Sequence, residues 1–327
     1  MSDIDIISQY REQFVTHLKG RIQLGEPKNL FEPVQYILGL GGKRLRPILT
    51  LMTAEVFGGK AKDAMDAALA VEMFHNFSLV HDDIMDDAPL RRGKTTVHEK
   101  WDVNTGILSG DAMLILSYQF FESYPAETYV ELTKLFSKTA LEVCEGQQYD
   151  VDFETRDDVT IPEYLKMIEY KTSVLVAAAM KMGAIVAKAS PKDADAIYEF
   201  GRNLGIAFQL QDDYLDAFGN PETLGKQVGG DIIENKKTYL YLKSLENASK
   251  DDQDGLLHLY SIKPEDSTAK VEAVKTIFKE SGAVEETKKA IKNFTQKAFD
   301  ALSETGLPEK NKALLKQFGK SLMERTV

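Results

Sequence analysis

Residues 75–87 read HNFSLVHDDIMDD, and residues 209–216 read QLQDDYLD. Each stretch contains the pattern Asp-Asp-x-x-Asp within a sequence of helical periodicity. Residues four positions apart lie on one helix face, so Asp82 projects together with Asp86, and the second stretch repeats this arrangement. Like charges at this spacing destabilise a helix unless cations neutralise them. Since carboxylate oxygens are typical ligands of Mg²⁺, two matched stretches favour a metal site over a solvated acidic face.

Helical periodicity extends along nearly the whole chain, whereas strand-like alternation is scarce. The sequence therefore predicts an all-α fold, with residues 1–327 forming one domain because no low-complexity linker interrupts them. Gly and Pro residues separate helices predicted at 6–23, 30–40, 44–56, 62–87, 105–122, 126–149, 162–189 and 193–218. After about residue 236 the predicted helices are shorter and more charged. Two facing helices would gather the aspartates of both stretches around one cleft.

The formal net charge is −11, and 43% of the residues are hydrophobic. An acidic chain argues against nucleic acid and against an anionic membrane surface as the main partner. The apolar stretches are too short for a transmembrane segment, and no signal peptide is evident. A single cysteine, Cys144, allows no internal disulfide, and we expect its side chain to be buried. We predict a soluble cytoplasmic protein.

Basic residues lie next to both acidic stretches. Residues 41–47 (GGKRLRP) place three cations after a glycine turn, and residues 91–94 (RRGK) follow the first acidic stretch. A further basic set comprises Lys171, Lys226, Lys236 and Lys237. Any one of these could be a solvated surface charge, but together they predict two phosphate-bearing ligands, one held through metal and one held directly by Arg and Lys.

Several common chemistries have no matching motif in this sequence. We find no P-loop, no Gly-x-Gly-x-x-Gly after a strand, no convincing Ser-His-Asp set and no Cys/His zinc spacing. Small residues such as Ala177, Ala178 and Ala179 are compatible with an apolar cavity or with close helix packing. Gly205 shares a helix face with the second aspartate set, where it would leave room for a ligand.

The chain resembles the trans-isoprenyl diphosphate synthases, which are all-α, head-to-tail prenyltransferases. Their motifs occur here in family order as GGKRLRP (41–47), HNFSLVHDDIMD (75–86), RRGKTTVH (91–98), GDAML (110–114), GQQYD (146–150), KTS (171–173), QLQDDYLD (209–216), GK (225–226) and NKKT (235–238). The resemblance implies one large bundle of the isoprenoid synthase type around a central apolar cavity. It also implies a homodimer, for which the helix around residues 112–121 is a candidate interface.

The resemblance assigns roles to individual residues. The implied ligands of three Mg²⁺ ions are Asp82, Asp83, Asp86, Asp212, Asp213 and Asp216. The implied binding residues for isopentenyl diphosphate are Lys43, Arg46, His75 and Arg92. Those for the allylic diphosphate are Arg91, Lys171, Lys226 and Lys236. Thr172 and Gln209 would stabilise the carbocation, whereas Gln147 and Asp150 match an accessory motif of the family. The catalytic set is Asp82, Asp83, Asp86, Lys171, Thr172, Gln209, Asp212 and Lys226.

The implied reaction joins isopentenyl diphosphate to an allylic diphosphate and yields a short-chain all-trans prenyl diphosphate. In the family, bulk just before the first motif sets the chain length, and here Phe77 and Ser78 occupy that place. A single aromatic with the short motif resembles the archaeal-type geranylgeranyl synthases. We therefore expect geranylgeranyl diphosphate as the product, with farnesyl diphosphate as the alternative.

Three other functions need comparison with this one. Terpene cyclases share the fold but usually lack a second Asp-Asp-x-x-Asp and the basic residues at Lys43 and Arg46. A non-catalytic partner of a synthase generally loses one acidic motif. An HD-type metal phosphohydrolase is prompted by His81-Asp82, yet it would not require the second acidic stretch or the basic clusters.

Overall fold

The computed structural model describes residues 3–22, 25–220 and 228–324. The chain forms two compact units. The first comprises Met1–Ala140 and Ala178–Tyr198, and the second comprises Leu141–Ala177 and Glu199–Val327. The single domain and the central apolar cavity stay predictions.

The described residues are almost entirely helical, as predicted. In chain order the helices are α1 (Asp3–Arg21), α2 (Lys28–Gly39), α3 (Leu45–Val56), α4 (Met65–Met85), α5 (Val97–Lys100), α6 (Val103–Gln119), α7 (Ala126–Thr155), α8 (Ile161–Ile168), α9 (Val174–Val186), α10 (Pro191–Phe218), α11 (Gly230–Ile233), α12 (Tyr239–Asn247), α13 (Lys250–Leu259), α14 (Thr268–Glu280), α15 (Ala283–Ser303) and α16 (Glu309–Met323). Short 3₁₀ turns cover Ala61–Ala64 and Phe120–Ser123.

Helix α4 packs against α3 and α6 in the first unit. Its residues 67–74 are all buried, because small and apolar side chains cover nearly every face of this stretch. Phe74 meets Phe136 of α7 at a ring-centroid distance of 5.2 Å, and Phe121 meets the same ring at 5.3 Å. This core fixes the direction in which the following turns of α4 present the first aspartate stretch.

Helix α4 ends at Met85, two residues earlier than predicted. Asp86 caps the helix, and Asp87 adopts a left-handed conformation with φ 48°. The amide of Ala88 donates to the carbonyl of Asp83 at 2.9 Å, which satisfies one of the last carbonyls of the helix. The chain therefore turns away directly after the first aspartate stretch.

An antiparallel hairpin follows α4, with β1 at Leu90–Arg91 and β2 at Lys94–Thr95. The sequence analysis did not predict it. Its two central residues, Arg92 (φ 54°) and Gly93 (φ 72°), are both left-handed, as the tightest hairpin turns require. The hairpin places two consecutive arginines just beyond the carboxylates of α4.

A π-helical segment, Glu169–Ser173, interrupts the helix that we predicted to be continuous over 162–189. Two glycines of the second unit lie against it. A Cβ on Gly146 would meet the backbone nitrogen of Lys171 at 2.2 Å, and a Cβ on Gly205 would meet Cα of Ser173 at 2.9 Å. The expectation that Gly205 leaves room for a ligand is therefore wrong, because the π segment occupies that space.

Three further features can be compared with the sequence analysis. Cys144 is exposed, so the prediction that it is buried is wrong. Within the described ranges, the structure contains no helix with the length and hydropathy needed to cross a bilayer. A cavity of about 500 Å³ in the first unit has charged residues such as Glu127, Lys181 and Asp195 in its wall, so it is not the predicted apolar cavity.

The contact between Gly146 and the π segment predicts a difference between two glycine-to-alanine variants of the second unit. Gly146→Ala should lower the free energy of unfolding by roughly 2 kcal/mol, because the new methyl group meets backbone atoms. Gly255→Ala is the matched control, since nothing lies within 4 Å of its Cβ position in α13, and it should gain about 0.5–1 kcal/mol. Urea unfolding of both variants tests this, and equal stability would contradict the close contact.

Candidate active site

The first aspartate stretch lies at the C-terminal end of α4, where the helix dipole already presents partial negative charge. Asp83 is buried with 1% of its surface exposed. Its Oδ1 accepts hydrogen bonds from Nε and Nη2 of Arg91 at 2.9 and 2.5 Å. Its Oδ2 is buried without a hydrogen-bond partner in the part of the chain that is described. Burial raises the pKa of Asp83, and the guanidinium of Arg91 opposes this shift.

Arg91 also lies near a second carboxylate, with 3.7 Å between its Nη2 and Oδ2 of Asp82. Arg91 thus contacts two of the aspartates at the C-terminal end of α4. Clustered carboxylate oxygens are a donor set suited to Mg²⁺. The buried, unpartnered oxygen of Asp83 supports this fit, because a buried carboxylate oxygen normally has a donor or a cation beside it.

The hairpin joins the first acidic stretch to the glycine turn of residues 41–47. Arg92 donates from Nη1 to the carbonyl of Gly41. Gly42 has φ 116°, and a Cβ at this position would meet the guanidinium carbon of Arg92 at 2.7 Å. Only glycine permits both this backbone conformation and this approach. The structure thus places Arg92 beside the basic loop. This is the arrangement expected if Arg92, Lys43 and Arg46 bind the same diphosphate.

His75 lies beside the cations of the same loop. Its Nε2 is 3.2 Å from Nη1 of Arg46. Burial, and the positive charges of Arg46, Arg92, Arg91 and Arg44, lower the pKa of His75 well below 6.5. The ring is therefore neutral at neutral pH. A neutral imidazole can donate a hydrogen bond to a phosphate oxygen without adding to the repulsion among the arginines.

The second aspartate stretch occupies the last two turns of α10 in the second unit. Asp213 accepts hydrogen bonds from the hydroxyl of Tyr164 and, at 2.9 Å, from Nε2 of Gln209. Burial raises the pKa of Asp213 to about 6. Oδ2 of Asp216 accepts from the amide of Asp231 at 2.9 Å, which caps α11. Two of the three predicted ligands are thus held in place by protein donors.

Two lysines of the second unit, Lys171 and Lys236, lie beside Asp150. Its Oδ2 is 2.7 Å from Nζ of Lys171 and 3.7 Å from Nζ of Lys236, and Lys236 also contacts Glu154 at 3.2 Å. The hydroxyl of Thr172 donates to Oε1 of Gln209 at 3.4 Å. The π segment therefore places Lys171 beside one carboxylate and Thr172 beside α10, so four predicted residues come together: Lys171, Thr172, Gln209 and Lys236.

Other predicted residues have different outcomes. Lys226 lies outside the described residues, and the facing of the two aspartate sets stays a prediction. Phe77 is buried, with its ring 5.4 Å from that of Phe74 and 4.8 Å from that of His81. Ser78 donates to the carbonyl of His75 at 2.8 Å.

The sequence analysis missed two residues that hold the site together, Glu72, which binds Arg44, and Tyr164, which binds Asp213. It named Asp150 but did not foresee its role as an ion-pair partner of two lysines. The available signal for Glu72 was the presence of a charged residue within the apolar stretch of α4.

One further group has ligand atoms close enough for a cation. Asp87, His98 and Glu99 each offer one such atom, and these atoms lie within 4.8 Å of one another. The aspartate follows the first acidic stretch, and His98 ends the RRGKTTVH motif. A second group of residues that could bind a metal ion thus follows the predicted ligands in the chain.

Comparison with known proteins gives consistent matches. A sequence profile of the family described as polyprenyl synthetase matches residues 27–278. Geranylgeranyl diphosphate synthase of Methanosarcina mazei is 40% identical, across 77% of this chain and 78% of its own. Geranylfarnesyl diphosphate synthase of Natronomonas pharaonis is 34% identical, across 98% and 97%. A crystal structure of geranylgeranyl pyrophosphate synthase matches with a TM-score of 0.94 and 56% identity, across 98% and 99% of the two chains.

The lowered pKa of His75 predicts how stability depends on pH. The unfolded chain binds a proton at His75 below about pH 6.5, whereas the native state resists it. Stability is therefore lost as the pH falls through that value. His75→Gln should lose less stability than the wild type between about pH 7 and pH 5, by at most roughly 2 kcal/mol. Denaturant titrations at both pH values measure this, and parallel losses would contradict it.

Proposed function

Because this chain belongs to the polyprenyl synthetase family, we propose that it is a Mg²⁺-dependent prenyltransferase that makes a short-chain all-trans prenyl diphosphate. It condenses isopentenyl diphosphate with allylic diphosphates and favours geranylgeranyl diphosphate as the product. The observation that carries the proposal is the buried carboxylate of Asp83 at the end of α4, whose Oδ1 is held by Arg91 and whose Oδ2 has no hydrogen-bond partner among the described residues. The printed names of the relatives support the substrate class and the product.

The aspartates would hold the metal. The donor set of Asp82, Asp83, Asp86, Asp212, Asp213 and Asp216 fits Mg²⁺, and we propose three ions, as the resemblance implies. When bound, Mg²⁺ supplies positive charge that stabilises the departing diphosphate. Tyr164 and Gln209 hold Asp213 in its ionised form by donating to its oxygens, which opposes the effect of burial.

The basic residues would bind the two substrates. Arg46, His75 and Arg92 are close together in the first unit and, with Lys43, form the site for isopentenyl diphosphate. Lys171 and Lys236, which both lie beside Asp150, bind the allylic diphosphate with Arg91 and Lys226. An incoming diphosphate would compete with Asp150 for these lysines, so Asp150 keeps them together before the substrate arrives.

The reaction needs no basic side chain of its own. The allylic carbon–oxygen bond breaks, and its electron pair leaves with the diphosphate. The double bond of isopentenyl diphosphate then attacks the allylic carbon, and the released diphosphate accepts the proton that is lost. Oxygens of Thr172 and Gln209, which lie 3.4 Å apart, would stabilise the positive charge between these events.

Product length would depend on Phe77. Its ring is confined between Phe74 and His81, so it cannot yield easily to a growing chain. Farnesyl diphosphate is the alternative product. A terpene cyclase and an HD-type phosphohydrolase are weaker alternatives, because each leaves the basic loop of residues 41–47 without a role.

A homodimer and a cytoplasmic location complete the proposal. Helix α6 exposes four apolar residues, Val103 (48%), Ile107 (40%), Leu108 (59%) and Ile115 (60%). An apolar face of this kind is typical of an interface. It begins upstream of the predicted segment 112–121, in which Phe120 and Phe121 belong to the core. The acidic charge and the single, exposed Cys144 suit a reducing cytoplasm.

The aspartate assignment predicts a large difference between two positions of α4. Asp82→Asn should lower kcat for chain elongation by about 10²-fold or more, because a group that stabilises the developing charge is lost. Asp66→Asn is the matched control on the same helix, since Asp66 pairs with Arg21 at 3.5 Å and has no role in the proposed site, and it should elongate at near the wild-type rate. Chelation should abolish elongation, and added Mg²⁺ should restore it. Phosphate release without elongation would indicate a hydrolase, and a cyclic hydrocarbon would indicate a cyclase.

The packing of Phe77 predicts the effect of its removal on product length. Phe77→Ala should shift the product towards longer chains, because the ring that limits the chain is gone. Chromatography of the dephosphorylated products measures this. Phe74→Leu is a control for loosening of the aromatic core, and it should retain the wild-type product. An unchanged product with Phe77→Ala would show that this ring does not set the length.

The exposed face of α6 predicts the oligomeric state. The wild type should be a dimer in light scattering, and Leu108→Glu with Ile115→Glu should yield monomers, because charges would enter the interface. Leu257→Glu, at an exposed apolar position of α13, is the control and should remain dimeric. A monomeric wild type, or a dimer that survives both charges, would contradict this interface.

A further inference from the structure

Glu72 is a buried carboxylate in the apolar middle of α4, with 2% of its surface exposed. Arg44 donates to its Oε1 from Nη1, and Asn76 donates to the same oxygen from Nδ2 at 3.0 Å. A buried charge without a partner is strongly destabilising, so this arrangement must be maintained by the fold. None of these three residues has a role in the proposed reaction.

Arg44 is the middle cation of the basic loop, and it points into the protein. It is 6% exposed, and besides Glu72 it binds the carbonyl of Leu38 at the end of α2. It also caps α3 in a left-handed conformation with φ 52°, which a residue with a side chain rarely adopts. The ion pair therefore holds a strained residue in place between Lys43 and Arg46, and its geometry sets where those two neighbours lie.

Glu72 also acts on the neighbouring cations through its charge. Burial lowers the pKa of Arg46 and of Arg92, and the negative charge of Glu72 opposes both shifts. Arg44, Arg46 and Arg92 would repel one another without it. Because the carboxylate is buried beneath them, it can balance these cations without occupying the surface that a diphosphate would approach.

We propose that Glu72 and Arg44 are positioning residues that hold Lys43, Arg46 and Arg92 in register for the diphosphate of isopentenyl diphosphate. The proposal rests on the proposed function, since it concerns the same binding site. It assigns this pair to one substrate only, because the lysines that would bind the allylic diphosphate belong to the second unit.

The charge of Glu72 and its positioning effect lead to opposite expectations. Removing a negative charge beside a diphosphate site would strengthen binding, whereas releasing Arg44 would displace the loop and weaken it. Misplaced binding groups commonly lower catalytic efficiency by far more than a screened charge changes it. We therefore expect the positioning effect to dominate.

The test separates positioning from stability. Arg44→Met combined with Glu72→Leu removes both charges at similar volume, a replacement that often leaves stability unchanged. We expect a melting temperature near that of the wild type, a KM for isopentenyl diphosphate raised roughly tenfold or more, and a KM for the allylic substrate within about twofold of the wild type. Should the double variant fail to fold, Glu72→Gln alone is judged by the same two KM values.

Two comparisons make the outcome decisive. Asp66→Asn is the matched control, because Asp66 is also on α4 and also pairs with an arginine, Arg21, at 3.5 Å, and it should leave both KM values unchanged. Arg46→Met tests the proposed function directly. If Arg46→Met raises the KM for isopentenyl diphosphate but the Arg44 and Glu72 variants do not, the inference is overturned and the proposed function stands. If Arg46→Met has no effect, the proposed binding site is wrong and the inference falls with it.

Discussion

The constraint on which this structure depends is the accumulation of negative charge at the ends of two helices. Both α4 and α10 carry three aspartates of the Asp-Asp-x-x-Asp pattern near their C-termini, where the helix dipole already opposes them. Both sets contain buried aspartates that are held by protein donors: Asp83 has Arg91 as its partner, and Asp213 has Tyr164 and Gln209. Local donors thus fix the buried carboxylates, and a divalent cation bound by each set would neutralise negative charge at the helix ends.

The clustered basic residues face the same problem with the opposite sign of charge. Neighbouring arginines or lysines repel one another, and in the proposed site each group has a carboxylate partner that reduces this repulsion. Glu72 performs this task from beneath the first group, and Asp150 stands between two lysines of the second. The two partners differ in one respect. Glu72 is buried, whereas Asp150 binds the lysine nitrogens that, in the proposed function, would bind the substrate, so Asp150 would have to release them on substrate binding.

The sequence predicted what depends on periodicity and on residue type. The helices and the positions of both aspartate stretches followed from spacing, because amphipathic patterns are local. The missed features depend on contacts between distant segments. Glu72 stood out as a charged residue in an apolar stretch, but its partner Arg44 belongs to another segment of the chain, and Tyr164 gave no sign of its bond to Asp213. The hairpin was not predicted because each of its strands has only two residues, which is too few for an alternating pattern of apolar and polar residues.

The π-helical segment at Glu169–Ser173 has a consequence for how this chain can vary. A π turn contains one residue more than the α turn it replaces, so α8 and α9 are not in the register of one regular helix. Loss of a single residue here would restore that regularity but would rotate one side against the other by about 100°. Lys171 and Thr172 could then not both keep their partners. The length of this segment is therefore constrained separately from the identity of its residues.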